Sequence, residues 1–197
     1  MLSTRAGDNF VERGFKTRCE NLALQVRSDL RLNKIAPLMP EALAQHLGVY
    51  LWNPQQIDGL SGEALLQLRK DEGSWSAVTV AFGGIEAVIY NDQHSRDRQS
   101  SDVMHELSHI LLDHKPIEMV LFSKELDVVL RDYDEDAEEE ATWLSGCLLL
   151  PRETLLYIKK RGVDEQTVRD TYHVSSTLFR FRLNKTGVER QIQAMSR

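Results

Sequence analysis

Apolar residues recur along this chain in two different periods. From Val11 to Leu32 the residues Phe15, Cys19, Leu22, Leu24, Val26 and Leu30 return at helical spacing among charges, which predicts a first amphipathic helix. Pro40 then suits the first turn of a short helix, Gly48 its C-terminal stop, and VYLW a β-rich segment after it. The period changes over residues 77–90, AVTVAFGGIEAVIY, where two β-rich runs flank Gly83 and Gly84. Glycine tolerates the positive φ that a two-residue turn demands, so a hairpin is expected there. Beyond the polar NDQHSRDRQSSD, Ser100 and Ser101 can cap a helix running from about Asp102 to Asp113, with Pro116 past its end. The stretch EMVLFSKELDVVL has no firm period and reads as a looser connection. The acidic RDYDEDAEEE flows into ATWLSGCLLL and stops at Pro151, predicting one helix over Glu135 to Leu149, and two or three short helices follow.

With 197 residues, 42% of them hydrophobic and 27% charged, the chain can build one domain with a substantial core, which excludes a disordered protein. The expected division is a flexible N-terminus over 1–10, a principal domain over 11–158, and a basic helical segment over 159–197 packed on that domain. Residues 1–158 carry 15 Lys+Arg against 26 Asp+Glu (15 − 26 = −11), and 159–197 carry 9 against 4 (9 − 4 = +5). A basic end on an acidic body keeps nucleic acid among the candidate partners. No run has the length of a membrane span, and MLSTRAGDNFVERGF lacks the apolar block of a secretory signal, so a cytoplasmic protein with no membrane partner is expected. Cys19 and Cys147, the two cysteines, have no repeating spacing and read as reduced thiols, with Cys147 in the core.

The candidate chemistry lies in residues 105–109, HELSH. Positions four apart on a helix differ by only about 40° in direction, so His105 and His109 project together as a two-nitrogen clamp. Val103, Leu107, Ile110 and Leu111 form a neighbouring apolar stripe that turns this helix toward the interior. A catalytic zinc takes three protein ligands and leaves a fourth position to water, so a third ligand is needed. Asp113 and His114 are too near along the same helix to close the site, which points to the acidic run downstream. Most of that run suits a helix N-terminus, where carboxylates complement the dipole. Glu140 differs, because Ala137, Ala141, Leu144, Cys147 and Leu148 make one apolar stripe and Glu140 falls inside it, whereas Glu138 and Glu139 point outside. A carboxylate facing the core needs a partner to offset its desolvation. Glu140 is therefore the expected third ligand, with Glu139 and Asp136 as alternatives.

His105-Glu106-x-x-His109, followed some thirty residues later by EEEATWLSGCLLLP, resembles the ImmA/IrrE family of metallo-endopeptidases. In that family the second motif runs Glu-Ala, then small and apolar residues, then a Leu-rich segment closed by Pro, and Glu140-Ala141 through Pro151 fits without a gap. The resemblance spans about residues 11–185 and is specific around 100–115 and 135–152. Family members often carry Arg-Phe-Thr before an Ala-His-Glu, where this chain has QSSDVMHELSH, and Thr142 and Leu144 replace an expected Asn and Phe. These departures touch neither a ligand nor the base; they concern subgroup and substrate. The resemblance implies an α+β fold: a mainly helical, zincin-like (gluzincin-type) domain with a small β-hairpin or sheet beside the HExxH helix. It also implies a Zn²⁺ cofactor and a protein substrate such as a repressor, an antitoxin-like partner or another regulator.

On this reading zinc lowers the pKa of its water, Glu106 takes that proton and later returns it to the leaving amine, and the reaction is hydrolysis of a peptide bond. Tyr133, Tyr172 and His173 are candidates to stabilise the oxyanion. Asp113 can orient His109 through the nitrogen that does not face the metal, while His94 and His114 read as surface residues. An extended substrate could add as a strand near Thr79 or Val88. Two rival functions remain. DEQTVRDTYHVSSTLFRFRLNKTG has the layout of a helix-turn-helix, with Ser175 as a cap and Arg180, Arg182 and Lys185 as basic groups for DNA, although Leu178, Phe179, Phe181 and Leu183 suit packing. Alternatively the site is a zinc-binding module without turnover, for which an unliganded Glu106 has no use.

Overall fold

The structure is a computed structural model that describes residues 14–57, 75–82, 84–115, 117–122 and 127–195. The N-terminal ten residues expected to be flexible lie outside the described residues, as does Gly83 of the expected hairpin turn. In chain order the described elements are α1 (Phe15–Asp29), α2 (Pro40–Leu47), β1 (Tyr50–Trp52), β2 (Ala77–Phe82), β3 (Ile85–Tyr90), α3 (Arg96–Leu111), β4 (Ile117–Phe122), β5 (Asp127–Asp132), α4 (Glu135–Leu149), α5 (Arg152–Arg161), α6 (Glu165–Tyr172), α7 (Ser176–Thr186) and α8 (Val188–Met195). The chain is thus mainly helical with one small sheet, the α+β, zincin-like arrangement expected from the sequence.

The sheet has five strands in the order β1-β3-β2-β5-β4. Strand β1 runs parallel to β3, and the remaining pairs are antiparallel. The hairpin of β2 and β3 forms in the register Thr79↔Val88, with Gly84 at φ 81 supplying the left-handed turn residue. Two expectations are corrected here. EMVLFSKELDVVL is not a loose connection, because it supplies β4 and β5; its two apolar runs lack a glycine or proline turn signal between them and become strands by pairing with each other, β5 also joining β2. Thr79 and Val88 offer no free edge either: β2 lies between β3 and β5, and β3 between β1 and β2.

Helix α3 starts six residues earlier than expected. Ser95, not Ser100 or Ser101, is its N-cap, its hydroxyl accepting the Arg98 N–H at 3.4 Å. The NDQHSRDRQ stretch looks polar because its first helical turns lie partly in solvent. His94, read as a surface residue, is buried and its Nδ1 lies 3.0 Å from Asp102. Across the sheet face α3 packs on β2 and β3, and on its other flank it meets α4.

One core joins these layers, running from Phe15, Cys19 and Val26 of α1 through Leu107 of α3 and Leu144 and Leu148 of α4 to Phe179, Leu183 and Val188 at the C-terminal end. Two buried arginines fix the far end of α4. The last carbonyls of a helix have no partner within it. Arg27 of α1 donates to the Leu148 carbonyl at 2.7 Å, and to those of Ala23 and Ala36 at 3.1 and 3.2 Å. Arg182 of α7 donates to the Leu150 carbonyl at 3.1 Å and to Glu20 at 2.5 Å, while the second oxygen of Glu20 accepts the Arg152 N–H. Gly146 permits this approach, since a Cβ there would stand 3.0 Å from Cδ of Arg182. With its C-terminal end anchored, α4 holds its acidic N-terminal turns against α3.

Helices α6 and α7 do meet across a tight turn, and Ser175 caps α7 by accepting the Leu178 N–H at 3.1 Å. The basic groups assigned to DNA are largely engaged within the fold. Arg182 is fully buried, Arg180 pairs with Glu165 at 3.3 Å, and Lys185 lies over the Phe181 ring.

Candidate metal centre

Helical spacing brings His105 and His109 to one face of α3, with their Nε2 atoms 3.1 Å apart. Leu107 and Met104, both fully buried, press the opposite side of this segment into the core, so the imidazoles stand at the rim between α3 and α4. His109 is buried, and the ring of Tyr133 stacks on it with centroids 3.7 Å apart and planes 11° from parallel. Burial, reinforced by the neighbouring His105 and His114 imidazoles, pushes the pKa of His109 down to about 3. Its ring is therefore neutral near pH 7, the form that offers a lone pair to a metal.

Glu138 is the carboxylate that meets this pair. Its Oε2 lies 3.0 Å from His105 Nε2 and its Oε1 3.3 Å from His109 Nε2. Ligand atoms of His105, His109 and Glu138 all lie within 4.8 Å of one another, the one such metal-ready group among the described residues. Helix α4 aims Glu138 there through its N-terminus, where the Asp134 carboxylate accepts the Ala137 N–H at 2.8 Å. The donor set of two imidazoles and one carboxylate fits a zinc ion that keeps a fourth position open. Glu106 strengthens the fit, since it lies near enough to Glu138 for each carboxylate to disfavour the charge of the other, a repulsion that a bound cation would relieve.

Glu106 faces the sheet side of the same cleft. The fully buried Thr79 of β2 donates its hydroxyl to Oε2 of Glu106 at 2.5 Å. Burial raises the pKa of Glu106 above the usual carboxylate value; the Thr79 bond and His105 oppose that rise, and Glu138 adds to it. A carboxylate displaced toward neutrality in this way is suited to accept a proton and give it back.

The other expected site residues fall as follows. Glu140 is not beside the two Nε2 atoms; its Oε2 lies 3.2 Å from Nε2 of His114. His114, read as a surface residue, is largely buried and sets its Nδ1 2.9 Å from Nδ1 of His109. Asp113 points away, its exposed carboxylate holding Lys115 at 2.9 Å, and that bond keeps its pKa below the usual range. Tyr172 donates its hydroxyl to the Ile35 carbonyl at 2.8 Å. His173 lines a cavity of about 480 Å³ with Ser100 and Val103, which lie roughly opposite the histidine pair around α3. Of the three oxyanion candidates, Tyr133 alone adjoins the cluster. Glu139 and Asp136 have no place in the metal-ready group.

Sequence reasoning passed over Glu138, His114 and Thr79. A helical wheel ranks positions against the apolar stripe, but a carboxylate that meets both imidazoles must face the cleft at the edge of that stripe. The available signal was the fully buried Ala141 one turn beyond Glu138, a small residue at a close contact. Thr79 gave no signal, because its partner is 27 residues away and met only through tertiary packing.

Among the described residues no helix is long and apolar enough to cross a membrane. No curated protein and no solved structure matches the chain. The model of the Peptidase_M78 family, described as the IrrE N-terminal-like domain, matches residues 67–184, a segment that holds β2 through most of α7 and every member of the cluster. That segment is more than half of the 197 residues, and the chain belongs to this metallopeptidase-type family.

Proposed function

We propose that the protein is a zinc-dependent endopeptidase that cleaves a specific regulatory protein, a repressor or a partner of similar kind, in the cytoplasm. The observation that carries this reading is the convergence of His105, His109 and Glu138 beside a Glu106 carboxylate that takes no part in the cluster. His105, His109 and Glu138 would hold the ion. The geometry favours Glu138 over Glu140 because its two oxygens reach both Nε2 atoms.

Zinc bound there supplies a Lewis acid for the peptide carbonyl and acidifies a coordinated water. Glu106 accepts the proton of the attacking water and passes it to the amine that departs, so the carboxylate ends each cycle as it began. Thr79 holds one oxygen of Glu106 and leaves the other to do this work. Tyr133 fixes the plane of the His109 ring by stacking on it. The two buried cysteines are free thiols, in keeping with a reducing compartment.

The test compares zinc-loaded wild type with Glu106→Gln in a lysate of the source cells, reading new protein N-termini by mass spectrometry. A small set of new termini with wild type, none with the variant and equal zinc content in both are the expected results. A variant that cuts as well as wild type removes Glu106 from the chemistry. A wild type that binds zinc and cuts nothing leaves a non-catalytic zinc module as the better reading.

A further inference from the structure

The side of His109 that faces away from the cluster has a partner of its own. Its Nδ1 lies 2.9 Å from Nδ1 of His114, and Nε2 of His114 lies 3.2 Å from Oε2 of Glu140. Two ring nitrogens at that distance share a single proton, because two N–H groups would collide and two lone pairs would repel. The carboxylate at the end of the chain decides which nitrogen holds it. An ionised Glu140 only accepts, so it takes the N–H of His114 Nε2. A neutral His114 then has a bare Nδ1, which accepts the N–H of His109 Nδ1. His109 is left with its lone pair on Nε2, the nitrogen that stands 3.1 Å from His105 Nε2 and 3.3 Å from Glu138. With His114 neutral, each proton position follows from the one before it.

We infer that His114 and Glu140 are positioning residues that hold His109 in the Nδ1–H tautomer and so present its Nε2 lone pair to the metal. Metal-bound imidazoles commonly need such an outer partner, and a carboxylate or carbonyl usually fills the role directly. In this chain a second imidazole is interposed. Asp113, one residue closer in sequence, cannot serve because its backbone turns left-handed at φ 53 and sends the carboxylate out to Lys115. Glu140 consequently has a defined task without ligating the ion. The stack of Tyr133 on His109 sets the plane of the ring, while His114 sets its edge and its proton.

The role toward the ion rests on the zinc reading above; the proton assignment does not. Both are read on the full chain. In metal-free protein, long-range ¹H–¹⁵N correlation spectra of the imidazole rings are expected to show His109 protonated at Nδ1 and His114 at Nε2. Glu140→Ala should scramble the His114 signature, and Glu140→Gln, which keeps an acceptor oxygen, should preserve it. In chelator competition with zinc, His114→Ala and Glu140→Ala should weaken binding about 10- to 100-fold, with Glu140→Gln close to wild type and Glu138→Ala losing most of the affinity. His114 protonated at Nδ1 in the wild type would overturn the assignment. Unchanged zinc affinity in Glu140→Ala would overturn the positioning role, and so would a loss in Glu140→Gln as large as in Glu138→Ala, which would make Glu140 a ligand. A wild type that takes up no zinc contradicts the metal reading instead, and the ring spectra of that same sample still decide the proton assignment.

Discussion

Thr79 in the middle of the sheet gives its hydroxyl to Oε2 of Glu106 in the middle of α3, across 2.5 Å. The bond opposes the upward push that burial exerts on the Glu106 pKa. Thr79→Val removes it and keeps the shape, so the Glu106 pKa rises further. A general base works only when ionised, and the acid limb of kcat/KM should therefore move to higher pH in the variant. On the acid limb, below both midpoints, a fall of about ten-fold is expected, the worth of one hydrogen bond to a charged group. Thr79→Ser should stay near wild type; a pH–rate profile with a peptide taken from the mapped cleavage site checks both.

Glu138 and the zinc ion should be linked in thermal stability. A ligand that binds only the folded state, at 100 times its Kd, adds about 2.7 kcal/mol. Chelation should thus lower the melting temperature of wild type by several degrees. Glu138→Ala should melt at one temperature with or without the chelator. Differential scanning calorimetry in zinc and in EDTA reads the difference, and an equal zinc response in the variant would remove Glu138 as a ligand.

A buried base has a cost in the empty site. Because the Glu106 pKa is raised, its folded form holds a proton to higher pH than the unfolded chain does. Its contribution to stability is then complete at low pH and is lost as pH rises through the folded pKa. Glu106→Gln carries no charge at any pH and keeps an oxygen for Thr79. In EDTA the variant should unfold at a higher temperature than wild type at pH 8, with the gap closing as pH falls toward 5.

Arg182 is a structural residue, whatever the net charge of its segment. Removing one partner of a buried ion pair leaves the other uncompensated, which costs about 3–5 kcal/mol. Arg182→Met takes the guanidinium from Glu20, which keeps the Arg152 N–H, and frees the Leu150 carbonyl, so its urea midpoint should fall toward the lower end of that range. Arg180→Ala, at an exposed pair with Glu165 that solvent screens, should leave the urea midpoint close to that of wild type. Neither variant should alter affinity for duplex DNA; a salt-sensitive complex lost in Arg180→Ala would restore the nucleic-acid reading.

What the sequence determined by itself is local. The 3.6-residue period sets His105 and His109 on one face and Glu106 on the next, because backbone hydrogen bonds four residues apart fix those directions whatever else the chain does. The same period marks α4 and its stop at Pro151, and the two glycines mark the hairpin. The tertiary structure decided what depends on distant partners. Strand β5 is inserted beside β2, and β1 lies parallel on β3, which turned the supposed free edge at Thr79 into the interior of the sheet. The choice between Glu138 and Glu140 is a matter of about 200° around one helix. It follows from how α4 is set against α3, with Arg27 and Arg182 holding the far end of α4. His114 looked like surface because it follows the end of α3, yet the left-handed turn at Asp113 folds it back onto His109. Periodicity reports which side of an element is apolar, and only the packing of one element on another shows which polar group stands opposite which.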